Sequence, residues 1–146
     1  MALDTTIQQV LAANMLDEIT ALLDAETLGA LIEVRVGAPT ATVEEADTGA
    51  VLAHIVCGTT SFPAATAAIP ATMAANSITS DVSAPATGQA GHFTAGSSAT
   101  TDVMTSKIIS GTCGTTSSFD LEFDDDMIVT GGTVAITAWT INMPIN

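Results

Sequence analysis

Residues 5–25 carry apolar side chains at helical spacing. Ile7, Leu11, Met15, Ile19 and Leu22 follow steps of four and three, and Val10 and Leu23 widen the stripe. Thr5 with Gln8, or Thr6 with Gln9, offers a capping box, and Asp4 sits near the positive end of the helix dipole. Gly29 is the expected stop signal. The stripe is expected to pack on the chain's own sheet; a helix that docks a partner is the alternative.

Beyond Gly29 the period changes to two. Ile32, Val34 and Val36 fall on one side of a strand, with Glu33 and Arg35 on the other. Gly37-Ala38-Pro39 breaks the run, and residues 38–49 form an acidic loop with Glu44, Glu45 and Asp47. Val51–Cys57 reads as a second strand. Residues 63–75, interrupted by Pro63 and Pro70, read as extended or irregular chain, because proline removes a ladder donor and breaks helices. Further strands are expected at Asn76–Thr79, Ala90–Ala95, Val103–Ile109 and Phe119–Phe123. In the last, Phe119, Leu121 and Phe123 should face inward and Asp120 and Glu122 outward. Met127–Thr130 and Val134–Ile141 read as a hairpin joined through Gly131-Gly132. Trp139 is a candidate core anchor.

One helix followed by about eight short strands predicts a mainly β protein. The expected architecture is an antiparallel β-sandwich, jelly-roll or immunoglobulin-like, with one N-terminal amphipathic helix. The expected organisation is a single domain, with a helical segment over 1–29 packed on a sandwich over 30–146. A chain of 146 residues can bury about 70% of its unfolded surface, so it needs no staples.

Composition narrows the function. Sixteen acidic residues stand against two basic ones, Arg35 and Lys107, for a formal net charge of −14. Nucleic-acid binding needs Lys and Arg to neutralise phosphates, so neither DNA nor RNA is an expected partner. The same charge opposes anionic lipid. The N-terminus lacks a positively charged region and an apolar core, so no secretory signal peptide is expected. No apolar run reaches the ~18 residues of a membrane span. A soluble product of the cytosol is the expectation. Cys57 and Cys113 are too few for a zinc site and read as buried free thiols.

Reactive chemistry has few candidates. Asp120, Glu122, Asp124, Asp125 and Asp126 could offer oxygen ligands to a cation such as Ca²⁺, with Asp124, Asp125 and Asp126 the core of such a site. The run lacks EF-hand spacing, and a charged run at a strand end is more often a solvated turn that blunts edge pairing. His54 and His92 lie far apart on strand patterns and read as satisfied or half-buried side chains. No Gly-x-Ser-x-Gly elbow occurs, and Gly88-Gln89-Ala90-Gly91 and Gly111-Thr112-Cys113-Gly114 lack the lysine of a phosphate loop. No catalytic residue and no cofactor is expected.

Several segments, taken in order, resemble a family of small virion proteins of tailed bacteriophages. They are the Ala2-Leu3-Asp4 start and helix, Gly37-Ala38-Pro39-Thr40-Ala41-Thr42, Ala46-Asp47-Thr48-Gly49-Ala50-Val51-Leu52-Ala53, and Phe62. Ala75-Asn76-Ser77-Ile78-Thr79-Ser80-Asp81 and Ala86-Thr87-Gly88-Gln89-Ala90-Gly91-His92-Phe93 look like the family's central motif. Ile128-Val129-Thr130-Gly131-Gly132-Thr133-Val134 and Ile141-Asn142-Met143-Pro144 look like its close. His92 stands where that family would carry an aromatic, and Asp124–Asp126 is more acidic than its usual Asn/Thr stretch.

The resemblance implies a capsid decoration, or cement, protein that binds the outer surface of the expanded head and reinforces it against the pressure of packaged DNA. Its implied partners are the major capsid protein and further copies of itself, as a homotrimer. Its implied place is the virion surface, after synthesis in the host cytoplasm. The alternatives are a tail- or fibre-associated module that binds the host surface, and a small hydrolase of cell-wall polymers.

Overall fold

A computed structural model describes residues 2–136 and 138–143, with side chains from residue 9 onward. The expected roles of Asp4, Thr5, Thr6, Ile7 and Gln8 rest on side chains that are not described, and Pro144 lies outside the described residues. Among the described residues the chain is mainly β with one helix. Helix α1 spans Ala2–Leu23. It is followed by β1 (Ala30–Val36), β2 (Val51–Cys57), β3 (Ala71–Ala74), β4 (Gly88–Ser98), β5 (Met104–Gly114), β6 (Leu121–Glu122), β7 (Met127–Ile128) and β8 (Thr140–Met143).

The main sheet runs β2-β1-β4-β5-β6, with β7 paired to the start of β4. Its neighbours are antiparallel except for the short β5–β6 pair. A second, two-stranded sheet pairs β3 with β8. Register shifts break the β1–β2, β1–β4 and β4–β5 ladders. Bulges of this kind add local twist, and the sheets curl strongly.

Helix α1 packs against β3, β4, β5 and β8. Between helix and sheets lies the core: Leu16 and Leu23 from α1, Ile32 and Val34 from β1, Leu52 and Ile55 from β2, then Phe62, Phe93 and Trp139. Trp139 anchors it as expected. Its ring meets Phe62 edge-on at 5.1 Å and Phe93 at 6.1 Å, the offset geometry that the ring quadrupole favours. Gly29 ends the turn after α1 with φ +74°, and β1 starts at the next residue.

Four expectations are corrected. The helix is rotated from the expected face: Leu23 is buried and Ile19 packs half-buried on the core as expected, but Ala12, Ala13 and Leu16 join them, whereas Val10, Leu11, Met15 and Leu22 are exposed. Two apolar sets interleave along this helix, and polar contacts described below decide between them. Secondly, Gly131-Gly132 makes a turn but not a hairpin. Gly131 N donates to Ala84 O and Ala84 N to Gly132 O, while β7 pairs with Gly88 and Gln89 of β4. Val134 bridges to Asp81, and the last strand starts only at Thr140. Thirdly, Phe119 is exposed although Leu121 and Phe123 are buried, because Phe119 lies in the turn ahead of β6. Asn76–Thr79 forms no strand beyond a single bridge from Thr79 to Val56. By contrast β4 and β5 extend further than their sequence patterns indicate.

Candidate functional site

The densest polar constellation lies on the outer face of the main sheet. Alternation along β1 sends Ile32 and Val34 to the core and Glu33 and Arg35 to the other side. Cross-strand pairing sets Glu33 beside His54 and Thr94, and Arg35 beside His92. The loop between β1 and β2 folds over this face. Asp47, from that loop, reaches down with Oδ1 3.4 Å from Lys107 Nζ and Oδ2 3.8 Å from Arg35 Nε. It also accepts from Thr94 Oγ1 at 3.2 Å. Arg35 donates to Glu33 Oε2 at 2.7 Å and to Gly49 O at 3.1 Å. Lys107 Nζ also donates to Glu45 O.

The result is a strap tied across the sheet. Glu33, although charged, is only 7% exposed. Both basic side chains of the chain are consumed here, so the strap neutralises its own charge internally. His54 Nε2 lies 3.9 Å from Glu33 Oε1 at the edge of the network. His92 is fully buried beneath the strap, and its Nδ1 sits 3.0 Å from Gly37 O. A carbonyl only accepts, so Nδ1 carries the proton and donates. The sequence shows Glu33 and Arg35 on one face of β1. It holds no sign that Asp47 returns to meet them, which depends on how the loop closes.

Asp124, Asp125 and Asp126 stay together as a turn between β6 and β7 but do not converge. Asp125 Oδ1 accepts from Met127 N at 2.9 Å, and Asp126 Oδ2 accepts from Gln89 Nε2 at 3.1 Å. Their carboxylates therefore cap a turn and tie it to β4. Among the described residues no group of three or more His, Cys, Asp or Glu side chains is arranged to hold a metal ion. Asp120 turns back to β5, where its Oδ2 accepts from Thr112 N and Oγ1, each at 2.9 Å.

Beside this segment a cavity of about 390 Å³ opens between Ile109, Phe119, Asp120, Trp139 and Ile141. A neighbouring one of about 390 Å³ shares Phe119, Asp120 and Trp139 and adds Glu122 and Asp124. Apolar floor and acidic lip can hold an uncharged or cationic group. Nothing in either lining makes a nucleophile–base pair.

Cys57 and Cys113 are free and buried, as the sequence indicates. Burial first, and then the charge of Asp24, pushes the Cys57 thiol up to about 12. Burial and then Asp126 push Cys113 up to about 12 as well. Both thiols are fully protonated near neutrality and inert as nucleophiles.

The feature that the sequence reading missed is on α1. Leu11 is 57% exposed, Leu22 52%, Met15 49% and Val10 48%. Helical spacing signals an apolar stripe but not which of two stripes faces water. In comparisons with protein-family models, with curated proteins and with solved structures, nothing matches this chain.

Proposed function

We propose that this chain is a virion structural protein of a tailed phage: a capsid decoration protein that binds the outer surface of the expanded head and reinforces it. It acts as a homotrimer on local threefold positions, with its β-strands forming an antiparallel sandwich of the jelly-roll or immunoglobulin-like kind. The observation that carries this reading is the strap on the outer sheet face. Arg35 and Lys107 are both paired internally, which leaves an outer surface of carboxylates, hydroxyls and apolar patches. Such a surface repels polyanions and other particles of the same kind, and it adheres through shape and apolar contact. Copies held on one axis gain avidity from modest individual contacts. The order of family-like segments along the sequence points the same way. The buried thiols and the tied carboxylates serve the fold.

The test is direct. Purified protein added to expanded, undecorated heads should saturate at a stoichiometry set by the shell lattice. Binding only to tails or to host cells rejects the reading.

A second reading, a tail- or fibre-associated module that binds the host surface, is favoured by one observation. Phe119 is 40% exposed on the rim of the cavity that Trp139 lines. It predicts binding to cells that is lost with Phe119→Ala.

A further inference from the structure

Helix α1 is apolar on two faces. The inward face combines small Ala12 and Ala13 with Leu16 and Leu23, and Ile19 packs half-buried beside them. The outward face carries Leu11, Met15 and Leu22 in one stripe, with Val10 beside it. Turning Leu11, Met15 and Leu22 inward would bury them at about 25 cal/mol per Å², at the expense of Leu16, Ile19 and Leu23. Polar ties oppose that rotation. Asp17 Oδ1 accepts from Ala65 N at 2.8 Å, and Asp24 accepts from Ser61 N at 3.0 Å and 3.2 Å. Between them Thr20 Oγ1 donates to Leu16 O at 3.2 Å and lies 3.1 Å from Met73 Sδ. The helix is pinned at two carboxylates, and its large side chains are held in water. An exposed apolar stripe on a fixed helix, interrupted only by one carboxylate, is the mark of a contact surface.

Charge selects the occupant. Glu18, exposed, falls between Met15 and Leu22 on the same stripe. A second copy packed face to face would set Glu18 against Glu18. Among the described residues neither basic side chain is spare to answer it, because Arg35 and Lys107 are both engaged beneath the strap. Nucleic acid and anionic lipid are opposed by the net charge of −14. What remains is a protein surface with an apolar groove for Leu11, Met15 and Leu22, edged by Lys or Arg facing Glu18.

We infer that the outward stripe of α1 is the face that meets the capsid shell, received by an apolar groove with a basic rim on the major capsid protein. This rests on the decoration reading above. Homotrimer contacts then lie on other faces.

The experiment compares wild type with Leu11→Gln/Met15→Gln/Leu22→Gln, which leaves the charge unchanged, on expanded undecorated heads. Leu11→Gln and Met15→Gln alone cover the case in which the triple variant misfolds, and circular dichroism checks each fold. The triple variant should lose affinity by about a hundredfold or more. Glu18→Gln should weaken binding and flatten its salt dependence. A synthetic amphipathic helix of Leu and Lys, used as a probe, should bind wild type and fail on the folded triple variant. Wild type that saturates heads while the folded variants bind equally well overturns the docking face alone. Wild type that ignores the heads overturns the decoration reading and this docking with it. A wild-type oligomer that the triple variant dissolves shows that a second copy covers the stripe, and it overturns the proposal too.

Discussion

Arg35 Nε lies 3.8 Å from Asp47 Oδ2, and the other oxygen of the same carboxylate lies 3.4 Å from Lys107 Nζ. One loop residue thus closes the gap between the two basic side chains of the chain. Asp47 is not replaceable by its amide without leaving cations poorly answered under the strap. Asp47→Asn should cost about 1–3 kcal/mol, since Glu33 still holds one side of Arg35. Urea unfolding measures the loss, and amide exchange should rise across residues 38–49. Asp124→Asn, at an exposed carboxylate, should stay within about 0.5 kcal/mol of wild type. Equal losses in the two variants would mean that the strap is not tied through Asp47.

The face of α1 that holds the fold together can be read by truncation. Leu16 is fully buried and Leu11 is mostly in water. Leu16→Ala should therefore cost about 2–5 kcal/mol, and Leu11→Ala less than about 0.5. Thermal or urea unfolding of the two variants gives the comparison. The reverse order would restore the orientation that helical spacing suggests.

That spacing shows how far the sequence was legible. A period near 3.6 marks residues 5–25 as helix, and alternation marks β1 and β2, because local geometry alone sets those patterns. Leu23 is inside as its spacing indicates, but the choice of Ala12 and Leu16 over Leu11, Met15 and Leu22 goes with Asp17 finding Ala65 and Asp24 finding Ser61. Both are long-range contacts with no local signature. The Gly131-Gly132 turn is equally visible in sequence, but its partner is Ala84 rather than the following strand. The strap was half legible: Glu33 and Arg35 announce a polar face, while the loop residue that buries them does not. The turn-capping roles of Asp125 and Asp126 were hidden for the same reason, since Gln89 approaches from another strand.

Gly29 and Gly131 separate two reasons for needing glycine. Both have positive φ, +74° and +78°. A Cβ on Gly131 would meet nothing within 4 Å, whereas one on Gly29 would lie 2.1 Å from Gly58 O. Gly131→Ala should cost only the left-handed penalty of about 1–2 kcal/mol. Gly29→Ala adds a backbone clash that no side-chain motion relieves, and it should cost clearly more or prevent folding. Calorimetric melting of both variants tests the difference. Similar losses would show that the approach of β1 to Gly58 relaxes easily.

Alkaline stability isolates the buried thiols. The folded values of Cys57 and Cys113 are raised to about 12 from an ordinary 9.0, with burial as the larger cause in each. Below pH 9.0 both thiols are protonated in the folded and the unfolded chain alike, so the stability that their burial confers is fully present there. Above 9.0 the unfolded chain releases these protons while the folded chain retains them, and stability falls as pH rises towards about 12. The slope is about 1.4 kcal/mol per pH unit for each thiol. Few other groups confuse the reading, because the chain has no tyrosine and Lys107 is its single lysine. Urea unfolding between pH 8 and 11 should show this decline, and Cys57→Ala should roughly halve its steepness whatever that variant costs at pH 8. In the native protein at pH 8 both thiols should resist iodoacetamide until the chain unfolds. Labelling at the rate of a free thiol would sink the argument, since it would place Cys57 or Cys113 in water.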